Sequence, residues 1–135
     1  FMLAEDENEP KLFEVCFNMN YGWGMHHVLK NVAKGLQPAT AIDSLVDRNR
    51  AKFPRGYYQM LFTQNHDENT WNGTLRESFG EGADAFVVLT HTLEGMPLLY
   101  NGLESNLNKR LAFFEKDTIA WNGYPKAQFY NALLT

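Results

Sequence analysis

Apolar residues in this chain fall into two kinds of stretch. Some are short runs that stop abruptly at polar residues; others recur every three or four positions. The short runs read as buried strands and the periodic stretches as amphipathic helices. The first run, Phe1-Met2-Leu3-Ala4, ends in Glu5, and a second covers Val15-Cys16-Phe17-Asn18-Met19. A third spans 57–64 and leads into Asn65-His66-Asp67, and a fourth is Pro97-Leu98-Leu99-Tyr100-Asn101. Met25, Val28, Leu29, Val32 and Leu36 mark a helix with Asn20 as its N-cap and Gly35 near its end. Ile42, Leu45, Val46 and Phe53 mark another, opened by Thr40 with Asp43 and closed by Pro54. Ser78 and Glu81 form an S-x-x-E box ahead of a helix over 82–94 that Gly95 terminates, and a last helix runs from Pro125 through Leu134. Strands alternating with helices predict an α/β fold with a parallel sheet.

Composition narrows the field. The 135 residues suffice for one domain, 1–135, with a core. A net charge of -4 with scattered basic residues predicts no nucleic-acid surface, and no apolar run approaches the ~20 residues of a membrane span. One cysteine, Cys16, excludes a disulfide within the chain, and its apolar neighbours predict a small buried side chain. Aromatic residues make up 14%, which serves either a core of large rings or stacking on sugar faces.

Polar groups cluster where the predicted strands end, and in a parallel barrel those ends share one rim. Strands two places apart lie roughly 9–10 Å from one another, so carboxylates on two such ends could address one sugar ring. On the residues alone, Glu5 reads first as a solvated member of the acidic turn formed with Asp6, Glu7 and Glu9. His66, Asp67 and Glu68, with His26, His27 or His91, have no metal-ligand spacing, so no metal is predicted. Trp23 and Trp121 read as buried anchors, and Glu104 either as a loop-fixing residue or as part of the rim.

The motifs turn this balance. Phe62-Thr63-Gln64-Asn65-His66-Asp67 resembles the seventh-strand motif of the alpha-amylase family, glycoside hydrolase family 13. Gly95-Met96-Pro97-Leu98-Leu99-Tyr100-Asn101-Gly102-Leu103-Glu104 resembles its eighth strand and following loop. The run ending in Glu5 is similar to its fifth strand, and Lys109-Arg110-Leu111-Ala112-Phe113-Phe114-Glu115-Lys116-Asp117 to the stretch after the eighth. The resemblance covers essentially the whole chain. It implies a partial (half) TIM-type (β/α)8 barrel, approximately strands five to eight with their helices.

The resemblance further implies a retaining glycoside hydrolase acting on alpha-linked glucans, with Glu5 as general acid/base. Asp67 would hold the hydroxyls of the sugar at the cleavage point and stabilise the transition state. His66 would donate a hydrogen bond to that sugar, with Asn65 beside it. Trp71 is assigned on chemistry rather than motif, as a stacking platform at a neighbouring subsite.

Nothing in the chain matches the fourth-strand motif that supplies the family's nucleophilic Asp and an Arg. The inserted domain that commonly carries calcium has no counterpart either, so no cofactor is assigned to this chain and calcium only to a full-length enzyme. Asp6 stands where close relatives often have an aromatic residue, and Leu103 replaces a frequent Gln. The expectation is a chain inactive by itself, whose open strand edges are covered by self-association or by the missing barrel half. The alternatives are a non-catalytic glycan-binding or interaction module, and a glucan-branching or transglycosylating relative.

Overall fold

The computed structural model describes residues 1–135. Four strands form one parallel sheet in the order β1 (Leu3–Ala4), β2 (Met19–Tyr21), β3 (Tyr58–Leu61), β4 (Met96–Pro97). Six helices accompany them: α1 (Leu12–Val15), α2 (Trp23–Ala33), α3 (Thr40–Lys52), α4 (Leu75–Phe79), α5 (Ala83–Thr92) and α6 (Ala127–Leu134). The parallel α/β architecture is as predicted. The chain gathers into two compact units, Phe1–Leu61 with Leu93–Pro97, and Phe62–Thr92 with Leu98–Thr135. No helix is long and apolar enough to cross a membrane.

The first unit contains the whole sheet. Pairing of Ala4 with Asn20 and of Asn20 with Gln59 puts these three on one face. On that side Ala4 packs with Phe13 of α1 and with Phe53 just after α3. Phe53 stacks on Tyr57 at 4.3 Å and meets Phe13 edge-on at 5.3 Å, contacts worth about 0.5–1.5 kcal/mol each beyond their burial. Burial, reinforced by Glu94 and Glu7, raises the Tyr57 hydroxyl pKa to about 12.

Several local expectations give way here. The stretch 15–19 splits: Val15 ends α1, and only Met19 enters β2. Burying Phe13 against Ala4 and Phe53 decides for a helical turn, which leaves Val15 and Cys16 facing solvent. Cys16 is therefore exposed, not a core residue. Asn20 is no N-cap either; it lies fully buried in β2 and its amide has no protein partner. Leaving such a group unsatisfied costs about 1–3 kcal/mol.

The cap of α2 comes from 17 residues away. Both carboxylate oxygens of Glu7 accept the Gly24 N–H, at 3.0 and 3.1 Å, where the helix dipole favours negative charge. Lys52 Nζ donates to the Glu7 carbonyl at 2.6 Å, so the acidic turn after β1 is tied to both α2 and α3. Gly35 ends the periodic stretch with φ +68, as predicted, but Leu36 beyond it is exposed. Thr40 does not cap α3, whose N-cap position is Ala39.

In the second unit, Val87 of α5, Leu103 and Tyr130 of α6 form the core, with Leu75, Leu99 and Phe129 packed against them. The capping box is Thr74 with Glu77 at the start of α4, not Ser78 with Glu81. Thr74 accepts from the Glu77 N–H at 3.3 Å, and Glu77 accepts from the Thr74 N–H at 2.6 Å. Ser78 is instead buried inside α4. Trp121, read as a buried anchor, is 44% exposed and packs on Tyr124. Glu104 fixes a loop: its carboxylate accepts the Gly102 N–H at 3.1 Å, and its carbonyl accepts the Lys126 N–H at 3.0 Å.

Candidate functional site

Asn65, His66, Asp67 and Trp71 come together in the second unit on a single irregular turn. Asn65 is buried, and its Oδ1 accepts the Glu68 N–H at 2.8 Å, the geometry of an N-cap. Asn69 N–H donates to the Asn65 carbonyl at 3.0 Å and closes the first helical turn. The chain then widens into a π-helical turn over Glu68–Asn72, where the Gly73 N–H reaches back to the Glu68 carbonyl at 2.9 Å. Such turns are often found at functional sites.

Gly73 makes the exit feasible. Its φ of +126 suits glycine, and a Cβ there would lie 3.0 Å from the Glu77 carboxylate and 3.2 Å from the Arg110 guanidinium. Its carbonyl accepts from Gln64 Nε2 at 2.7 Å, tying the turn to the segment ahead of it. The predicted polar loop is thus an ordered, hydrogen-bonded turn.

The outcome is that His66 and Asp67 project side by side. His66 Nε2 lies 3.5 Å from Asp67 Oδ1, and their side chains are 56% and 41% exposed. Asp67 supplies an acceptor pair and His66 an adjacent ring nitrogen, both open to solvent. Asn65 sits beneath them: its oxygen is used in the cap, and its Nδ2 is enclosed without a protein partner. Trp71, on the same turn, is 57% exposed.

A second segment completes the surroundings, and the sequence did not mark it as part of the site. Residues 109–118 form a loop held by side chains of the π-helical turn. Asn69 Nδ2 donates to the Lys109 carbonyl at 3.1 Å, and Asn69 Oδ1 accepts the Leu111 N–H at 2.8 Å. Thr70 Oγ1 donates to the Leu111 carbonyl at 2.8 Å. Arg110 donates to Glu77 at 3.0 Å, which with the Thr74 N–H holds that carboxyl below its usual range. The loop carries Phe113, whose ring lies 5.8 Å from His66 and 5.3 Å from Trp71. The sequence offered two hints, the resemblance of residues 109–117 to the stretch after the eighth strand and the Phe113-Phe114 pair beside charged residues, but neither assigned the loop to the site.

Asp117 closes the loop on itself. It pairs with Lys109 and accepts the Ala112 and Thr118 N–H groups, which together lower its pKa to about 2 from 3.8. A lowered pKa in the folded state means this contribution is complete above 3.8 and lost as pH falls through about 2. Acidification across that window is therefore expected to loosen residues 109–118, read as movement of the Trp71 indole and Phe113 ring signals by NMR. Asp117→Asn should remove this pH dependence; an unchanged titration in that variant contradicts the assignment.

Glu5 lies in the first unit, exposed, directly after β1. It precedes the acidic turn anchored by Glu7, so its place in the chain is held even though its side chain is solvated. Cavities of the molecule include one of about 560 Å³ lined by residues such as Asn49, Tyr57 and Glu94, and one of about 520 Å³ lined by residues such as Arg76, Asp84 and Lys126. None of Glu5, Asn65, His66, Asp67 or Trp71 is among the residues lining either one. No group of three His, Cys, Asp or Glu side chains gathers in the chain.

No family model matches the chain. It is 28% identical over 106 residues to the alpha-amylase MalA of Haloarcula japonica, a match covering 78% of this chain and 15% of that protein. The fold is that of a noncanonic maltogenic alpha-amylase, AmyB, from Thermotoga neapolitana, with a TM-score of 0.76 at 20% identity over 97% of this chain and 29% of the other. An alpha-amylase from Lactobacillus plantarum matches with a TM-score of 0.67 at 27% identity, over 82% of this chain and 26% of the other. A cyclic alpha-maltosyl-(1→6)-maltose hydrolase from Arthrobacter globiformis gives 0.67 at 20% identity, over 80% and 26%. The chain thus spans less than a third of each of these proteins. In sequence the chain is similar to an alpha-amylase, and in fold to part of the structures of alpha-amylases.

Proposed function

We propose that this chain is part of a retaining glycoside hydrolase acting on alpha-linked glucans, and that its four strands correspond to the fifth to eighth of a (β/α)8 barrel. The observation that carries the reading is the Asn65-capped turn. It sets His66 and Asp67 side by side and open to solvent, in a chain whose sequence relative is an alpha-amylase. Hydrolysis with retention needs three things: a proton for the leaving oxygen, a nucleophile, and stabilisation of positive charge on the sugar ring.

Glu5 is assigned the proton. As acid it protonates the glycosidic oxygen, and as base it later takes the proton of the attacking water. Asp67 is assigned the charge. Its carboxylate accepts from hydroxyls of the ring being cleaved and opposes the positive charge of the oxocarbenium-like transition state. His66 donates to a hydroxyl of the same ring, and Asn65 holds the turn that aims both. Trp71 stacks on the next sugar. A second polypeptide segment supplies the nucleophile and covers the outer edges of β1 and β4; a second copy of this chain could cover those edges but not supply that group.

Two measurements on the 135-residue polypeptide test this reading. Incubated with maltoheptaose, it is expected to release no new reducing ends, and release would show a nucleophile among its own residues. Titrated with the same sugar and followed by NMR, it should show shifts at His66 and Trp71 that Asp67→Ala weakens. Binding unaffected by that substitution would remove Asp67 from the site.

A further inference from the structure

Phe114 is an apolar side chain that the fold does not bury. Its ring is 82% exposed, although the loop that carries it is tied down at both ends. The ties are those of Asn69 and Thr70 to residues 109 and 111, and of Asp117 to Ala112, Thr118 and Lys109. Exposure of a large ring on a held loop costs hydration free energy that a looser loop would relieve by turning the ring inward. Phe114 is also part of a continuous line of rings. It meets Phe113 edge-on at 4.7 Å, and Phe113 in turn lies against both His66 and Trp71.

We propose that Phe114 is a second sugar-ring platform, binding a glucose unit of the alpha-glucan outside the one addressed by Asp67 and His66. This rests on the glycosidase reading above and extends it to a residue to which the resemblance assigns no role. Phe113 is the ring that joins the arrangement, lying against His66, Trp71 and Phe114. The chemistry favours a sugar. The C–H-bearing faces of a pyranose pack on an aromatic ring while its hydroxyls stay hydrated, which suits rings set among Glu115, Lys116 and Asp117. A protein partner would demand a wider apolar surface than these few rings offer.

The experiment is calorimetric titration of the full 135-residue chain with maltoheptaose, in the unchanged protein and in Phe114→Ala, Phe114→Tyr and Asp67→Ala. Phe114→Ala is expected to weaken binding about 3- to 10-fold, and Phe114→Tyr to restore it, because the ring rather than the hydrocarbon volume is used. Intermolecular NOEs between glucose C–H protons and the Phe114 ring should accompany binding. The exposed position makes misfolding of these variants a minor concern, and the NOEs provide a readout independent of it. Equal affinity of Phe114→Ala and unchanged protein, with Asp67→Ala still weakened, overturns the platform and leaves the glycosidase reading standing. No binding by the unchanged chain overturns both.

Discussion

Asp67→Asn, in a barrel that pairs this chain with a nucleophile-bearing half, is expected to lower kcat on maltoheptaose by about 100- to 1000-fold and to change KM little. The substitution keeps an oxygen of the same size in the same place, so hydroxyls of the bound sugar retain an acceptor. It removes the negative charge, which matters most when the ring becomes cationic. The loss therefore falls on the transition state, which is the signature of equal reductions in kcat and kcat/KM. A change confined to KM would make Asp67 a binding residue only. Glu5→Gln should also lower kcat, by about 100- to 10,000-fold on natural glucans, because general acid assistance is lost. Aryl glycosides, whose leaving groups need no proton, should escape most of that loss in the bond-breaking step. Equal losses on both substrates would contradict the role assigned to Glu5.

Gly95→Ala is expected to destabilise the first unit by about 3 kcal/mol or more, combining backbone strain with overpacking. Gly95 has φ +155, and a Cβ there would lie 2.6 Å from the Gln59 carbonyl oxygen and 2.9 Å from Leu61 Cγ. The carbonyl belongs to β3, which is paired on both sides, by β2 and by β4, and so has no freedom to retreat. Gly56→Ala provides the comparison, because φ is +87 there but nothing lies within 4 Å of a new Cβ. It should cost only the left-handed strain of about 1–2 kcal/mol. Urea unfolding of the two variants separates the contributions, provided the slopes match. Coincident midpoints would show that the close approach to β3 is not a constraint.

The order of the elements was legible because each left a periodic trace. The four strands appear in the predicted sequence, and the stripe through Met25 and Leu29 is the buried face of α2. Elements decided by a single contact left no such trace. Val15 and Cys16 look like strand residues until Phe13 is seen packed on Phe53. Thr74 with Glu77 and Ser78 with Glu81 are both plausible capping boxes by spacing, and only the burial of Ser78 separates them. The same holds at the site. The Asn65-His66-Asp67 motif stands at the end of a recognisable apolar run, so its location was readable. The role of Asn69 was not, because its hydrogen bonds reach 40 and 42 residues along the chain to backbone atoms, whose identity the sequence does not encode.

The brevity of the outer strands has a bearing on aggregation. A parallel sheet with two free edges presents unpaired N–H and C=O groups that invite strand addition from other molecules, the first step toward fibrils. Here the edge strands β1 and β4 pair through two residues each, and one of the two in β4 is Pro97, which has no N–H to offer. An incoming strand would find too few consecutive bonding groups to nucleate on. The short flanks thus give indiscriminate β-stacking little to grip.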